Sequence, residues 1–300
     1  MAFGRKKSSK KGEGEMSFLE HLEELRWHLI RSILAIVVMF VVAFFLKNFI
    51  FSKIIFAPRD PEFFTNRILC HLGGFLNSYY NSHRFTALCI NAKPFNLINI
   101  QMSGQLTTHF AMAIVAGLIM AFPIIVWEFW KFFKPALRAN ERKHIRGAVL
   151  SSSLLFFTGV VFGYYMIFPF SLHFLGTYEI SDQIVNQINI RSYIGTLTSI
   201  VMASGLIFEL PIFAFFLTKI GIITPRFLIE YRRYAIVIIF IIAAIITPPD
   251  VFSQTLVAIP LCGLYEISII VSKIVMRGKA KAHDDFMNDR DEVQTENATL

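Results

Sequence analysis

Charge is the scarcest commodity in this sequence: charged residues fill 17% of its 300 positions against 55% for hydrophobic ones, and mean hydropathy is +0.55. A soluble chain of that length would alternate polar and apolar stretches. Here charge is confined to short clusters between long apolar runs, which predicts an all-α integral membrane protein. The motifs of several chemistries are missing too. There is no Walker loop, no paired-histidine metal motif and no Gly-x-Ser-x-Gly elbow, and the 8 histidines are scattered, so no enzyme activity, cofactor or metal is expected. The net charge of +8 lies mostly between apolar runs and forms no basic face with interleaved aromatics. It points to membrane topology and excludes nucleic acid as a partner. The charge-then-short-core pattern of a cleaved signal peptide is not found before the first long span.

What is present is organised around Tyr193 to Thr218, an apolar run long enough to cross a membrane and broken once by Phe208-Glu209-Leu210-Pro211. A carboxylate at that depth costs on the order of 2.5 kcal/mol or more, so Glu209 should face protein or water. Pro211 leaves a helix carbonyl without its donor, and bare lipid cannot supply one. Two readings stay open for Glu209: a functional intramembrane site, or a protonated acid bonded to a neighbouring helix as packing glue.

In chain order, residues 1–15 form a lysine-, glycine- and serine-rich tail expected to be disordered, either solvated or touching anionic lipid. Ser17 to His28 reads as an amphipathic helix entered through a capping box, Ser17 with Glu20. Its polar face carries Glu20, His21, Glu24 and His28, which could hold a cationic peptide or be an ordinary solvated face. Spans are expected at 29–46, 106–133, 147–175, 193–218, 234–246 and 252–271. Arg31 sits near the end of the first, Trp127, Glu128 and Trp130 form an aromatic belt at the end of the second, and Pro169 should kink the third. Residues 47–105 read as a cap of short elements containing Pro58. Two of the three cysteines, Cys70 and Cys89, lie there and could pair if the loop faces an oxidising compartment. Cys262, inside an apolar run, reads as an inert core residue.

Basic residues concentrate in the connections after the second and fourth spans and after the last, which places those loops and both termini in the cytoplasm. The fifth span, about 13 residues, makes roughly 20 Å of helix and should thin the bilayer locally. Residues 277–300 read as a disordered cytoplasmic tail.

Several stretches in unbroken order then resemble one family. They are Ser17-Phe18-Leu19-Glu20-His21-Leu22-Glu23-Glu24-Leu25-Arg26, Lys134-Pro135-Ala136-Leu137 with Glu141-Arg142-Lys143, Phe208-Glu209-Leu210-Pro211, Thr247-Pro248-Pro249-Asp250-Val251-Phe252-Ser253-Gln254, and Leu264-Tyr265-Glu266-Ile267. Together they are similar to TatC, the receptor subunit of the twin-arginine protein translocase, over residues 16–276. The resemblance implies a glove-shaped, six-helix protein of the cell inner membrane. It would bind twin-arginine signal peptides of folded precursors, self-associate, assemble with single-span TatA-like and TatB-like partners, and export proteins on the proton-motive force. By position, it implies that Glu24 and Glu141, with Arg26 beside them, form the signal-peptide site. Glu209 and Pro211 would be the intramembrane site, and Asp250 and Pro58 belong to the periplasmic side. The chain departs from the family pattern at Gln105, where an acid is usual. A mid-membrane acid also raises a proton-coupled small-molecule transporter as an alternative, but the first three and last three spans show no repeat of the kind such folds carry. A scaffold without a substrate is a third reading.

Overall fold

In the computed structural model, residues 18–80, 96–133, 145–178, 186–247 and 251–298 are described, with Ser181 and Gln183 besides. The expectations for residues 1–15, Ser17, Cys89, Glu141 and Asp250 lie outside them. Nearly everything described is helix, as lipid demands: only a helix or closed barrel satisfies its own backbone there. Five helical stretches are long and apolar enough to cross a membrane: Leu22–Phe45, Gly104–Phe133, Arg146–Thr177, Ile190–Ile220 and Val257–Ala280.

The amphipathic segment and the first span are one helix, α1 (Phe18–Phe45). No glycine or proline separates His28 from Leu29, so nothing stops propagation from one to the other. After it the backbone passes through a short helical turn into a wider π segment, Ile50–Ile55. Two of its carbonyls are met from other elements: the Tyr164 hydroxyl donates to Ile54 O at 2.6 Å in an exposed contact, and the Tyr193 hydroxyl to the buried Ile55 O at 2.6 Å. Pro58 is buried in the next, 3-10 turn, Ala57–Arg59. Helix α2 (Phe64–Tyr80) follows, and α3 (Gly104–Phe133) runs back beside α1.

Helix α4 (Ile145–Phe162) leads through a π turn at Gly163–Ile167 into α5 (Phe168–Thr177). The kink expected at Pro169 is therefore a π turn just upstream, with the proline in the first turn of α5, where its missing N–H costs least. The missing donor is still felt. The carbonyl four residues before Pro169 belongs to Tyr165, and it accepts a hydrogen bond from the Thr65 hydroxyl of α2. A two-residue parallel sheet, β1 (Leu97–Ile98) with β2 (Ile188–Asn189), ties the two connections on this side together in the register Leu97 to Ile188.

The fourth apolar stretch is two helices, α6 (Ile190–Phe208) and α7 (Leu210–Ile220), meeting at Glu209. Short α8 (Pro225–Glu230), α9 (Arg232–Ile246) and α10 (Val251–Ala298) complete the chain. α10 corrects one expectation, since the tail read as disordered continues as helix to Ala298. After Gly278 the sequence holds no further glycine or proline before the end of the helix. In addition, Lys279 Nζ donates at the end of α7 to Lys219 O at 2.6 Å and to Thr218 O at 3.2 Å, the latter also taking the Gly221 N–H at 3.1 Å.

The main core is apolar and joins α1, α3, α5, α6, α9 and α10, with Ile55, Phe168, Ile200, Ala243 and Ala258 fully enclosed. Small residues let helices approach. A Cβ on Gly117 of α3 would lie 2.6 Å from the Phe40 backbone nitrogen of α1, and one on Gly159 of α4 would lie 2.6 Å from the Ser204 carbonyl oxygen of α6. Gly117→Ala should therefore destabilise the protein by about 1 to 3 kcal/mol through overpacking. Gly74→Ala in α2, where a Cβ meets nothing within 4 Å, should be neutral or stabilising by up to about 1 kcal/mol. Unfolding in detergent measures both, and equal shifts would show that α1 and α3 are not packed this closely.

Candidate functional site

Two groups of polar side chains stand out against the apolar bundle, one at the end of the α1–α3 pair and one in mid-bundle. At the first, Glu24 and Arg26 lie in the early turns of α1, with Arg26 exposed and Glu24 partly covered. One helical turn after Glu24 comes His28, whose Nε2 is 4.0 Å from Glu24 Oε1. Its Nδ1 is 2.6 Å from Glu128 Oε2 on α3. Glu128 also accepts from Lys131 Nζ at 3.0 Å on its other oxygen, and Arg31 Nη1 stands 3.7 Å from Oε2. The Glu128 side chain is 8% exposed and that of His28 12%. A carboxylate so enclosed needs cations or hydrogen bonds to remain there, and it has three cationic or ionisable neighbours. The Glu128 cluster is absent from the sequence reading, which placed that residue in an aromatic belt. Its partner His28 lies 100 positions earlier, beyond any local pattern, and the only available signal was an acid inside an otherwise apolar helix end.

Beside this cluster, Trp130, Val126 and Val149 form a second small core with Phe215 and Phe216 of α7. Trp130 and Phe216 meet edge to face at 5.4 Å, and Phe133 meets Phe216 at 5.0 Å. That packing docks α7 against the end of α3. Glu24 Oε2 is buried with no hydrogen-bond partner among the described residues, which leaves an acceptor position open next to the His28 ring.

The mid-bundle group is centred on Glu209, 4% exposed. The chain changes helix at this residue because Pro211 has no N–H to offer the Ile207 carbonyl. The Glu209 N–H turns back to Leu206 O at 3.2 Å, and Glu209 O in turn accepts from Ile212 and Phe213. The side chain points into the bundle, where the Ser152 hydroxyl of α4 donates to Oε2 at 2.6 Å. Oε1 is buried with no partner among the described residues. The acid is thus bonded to a neighbouring helix through one oxygen, while the other has no partner among the described residues. α7 is then held to α10 by Thr218 and Ser272, whose hydroxyls lie 2.8 Å apart in a buried contact.

The structure places Glu24 and Arg26 two positions apart on α1, a spacing that points their side chains in different directions, sets Glu209 and Pro211 at the same helix break, and buries Pro58 in the 3-10 turn of the cap. Cys70 is exposed and disulfide-bonded, and Cys262 is a free, partly buried thiol. Among the described residues no cluster of three or more histidine, cysteine or acidic side chains is arranged to hold a metal ion.

Against this geometry the comparisons with known proteins are concordant. Residues 20–260 match the family model described as Sec-independent protein translocase protein (TatC). The chain is 39% identical over 270 residues to a Sec-independent protein translocase protein TatC of Blattabacterium sp. subsp. Periplaneta americana, covering 90% of this chain and 100% of that one. It is 34% identical to TatCy of Bacillus subtilis, covering 92% and 95% of the two chains. Among solved structures, a crystal structure of the twin-arginine translocase receptor TatC superposes with a TM-score of 0.62 at 34% identity, covering 86% of this chain and 100% of that one. A second, in DDM, gives 0.63 at 35% identity over 84% and 99%.

Proposed function

Because the chain belongs to the TatC family, we propose that it is the twin-arginine signal-peptide receptor and core subunit of a Tat translocase, exporting folded proteins across the cytoplasmic membrane on the proton-motive force. The observation that supports the site assignment is Glu24 at the end of the α1–α3 pair, with one carboxylate oxygen buried and without a hydrogen-bond partner among the described residues. A guanidinium is a planar donor fork that fits such an acceptor. Glu141, within the basic connection between α3 and α4, is the proposed second acceptor, with Arg26 flanking Glu24.

On this reading α9 is the fifth of six crossings, the one that falls short of spanning length. Its 15 residues make about 22 Å of helix against a hydrocarbon core of about 30 Å. Both termini then lie in the cytoplasm of a multi-pass inner-membrane protein, and Asp250 and Pro58 belong to the periplasmic side. The proposed partners are twin-arginine precursors, TatA-like and TatB-like single-span proteins, and further copies of the receptor.

Glu24→Ala or Glu141→Ala should weaken binding of a twin-arginine peptide by about 1.5 to 3 kcal/mol, the range for a charge-assisted hydrogen bond. Titration of the purified protein decides it, and wild-type affinity in both variants would remove the assignment.

Glu209, with Pro211 opening the backbone beside it, is proposed to anchor a polar group of a TatA-like or TatB-like helix through its unsatisfied oxygen. Glu209→Gln should then be mild, while Glu209→Leu should lose partner crosslinks and keep peptide binding. Crosslinks that survive Glu209→Leu, with transport abolished by Glu209→Gln, would favour a proton relay instead.

Cys70 is proposed to pair with Cys89. Peptide mapping of protein taken from the membrane without reductant should yield the linked pair, and an alkylated Cys89 thiol would end that proposal.

A further inference from the structure

We propose that His28 and Glu128 are a positioning pair that sets the Glu24 carboxylate for a guanidinium guest, a role that rests on the receptor reading above. The imidazole stands between two carboxylates on two helices. Nδ1 is at 2.6 Å from Glu128 Oε2, a short hydrogen bond, while Nε2 is 4.0 Å from Glu24 Oε1, too far for one. The ring is therefore fixed by Glu128 and only flanks Glu24. The edge of Phe132 against the ring, with centroids 6.3 Å apart, further limits its rotation.

Glu128 itself is not the arginine acceptor. Both of its oxygens are engaged, Oε1 by Lys131 at 3.0 Å and Oε2 by His28, with Arg31 at 3.7 Å. Glu24 is the reverse case, with Oε2 enclosed and without a hydrogen-bond partner among the described residues. The cluster thus separates a satisfied acid, which holds the ring, from an acid beside which the fixed ring stands as a wall and a nearby polar edge. A guest cation meets a Glu24 carboxylate already flanked at Oε1 by the imidazole, an arrangement that limits the orientations of the carboxylate plane before the guest arrives. The charged groups facing the ring are Glu24 and Arg31 from α1, and Glu128 and Lys131 from α3.

The test uses the full chain in lipid nanodiscs, titrated with a synthetic peptide bearing adjacent arginines and with its twin-lysine counterpart. His28→Ala and Glu128→Ala should each weaken twin-arginine binding roughly tenfold, the scale of one charge-assisted contact. Glu128→Gln keeps an oxygen that accepts from Nδ1 and should stay within about threefold of wild type. Lys131 and Arg31, 40% and 56% exposed, can return to water when the charge is removed. In a Glu24→Gln background, His28→Ala should add less than about twofold, since the pair acts through Glu24.

Unchanged or tighter binding by His28→Ala, or an undiminished tenfold loss in the Glu24→Gln background, overturns the pair and leaves the receptor reading standing. If the wild type fails to distinguish twin-arginine from twin-lysine peptide, the receptor reading falls and this proposal with it.

Discussion

A backbone carbonyl released inside an apolar bundle must find a donor, because no bulk water reaches it and the cost of leaving it bare is several kcal/mol. Much of the architecture follows from how that demand is met wherever a helix departs from regularity. The π segment at Ile50–Ile55 is covered by two tyrosine hydroxyls from elsewhere in the bundle. Pro169 frees the Tyr165 carbonyl, and Thr65 of α2 supplies the donor. The end of α7 is closed by Gly221 in the left-handed region at φ 95 and by Lys279 of α10. Each repair reaches across the sequence, so each irregularity becomes a tie between helices.

The same constraint explains why the two buried acids sit as they do. Glu209 occupies a helix break, where the backbone already turns on itself, and it takes a neutral hydroxyl from Ser152. Glu128 lies near a helix end, within reach of Lys131 and Arg31, whose head groups remain partly in contact with solvent. A neutral donor suits a group in mid-bundle and cations suit one near an interface, because the cost of burying the counter-charge falls toward water.

Much of this was legible in the sequence where the signal is local. A charged residue two positions before a proline in an apolar run marks a broken helix, and the break falls at Glu209. The order of the short motifs pointed to the family that residues 20–260 match. Signals that depend on tertiary partners were not legible. Nothing near Glu128 announces a histidine 100 residues away, so the acid read as part of an interfacial belt. The amphipathic segment and the first span read as two units because their compositions differ, although helix continuity depends on breakers and there are none. The C-terminal segment read as disordered from its charge content, while Lys279 shows how one contact to a neighbouring helix end holds such a segment at its base.

The α1–α3 seam sharpens the point about what buried charges are for. Replacing a buried ion pair by well-packed apolar residues is often neutral or stabilising, whereas removing one partner alone costs about 3 to 5 kcal/mol. A pair like His28 and Glu128 therefore contributes little net stability but strongly penalises any arrangement that separates its members. Sliding α1 along α3 by one turn, about 5.4 Å, would bring Glu128 opposite the like-charged Glu24 in one direction or Ser32 in the other, and part it from the imidazole. The close approach of Gly117 to Phe40 sets how near the two helices come. Apolar packing fixes the distance and the buried pair fixes the register, and together they determine where Glu24 stands relative to the end of α3.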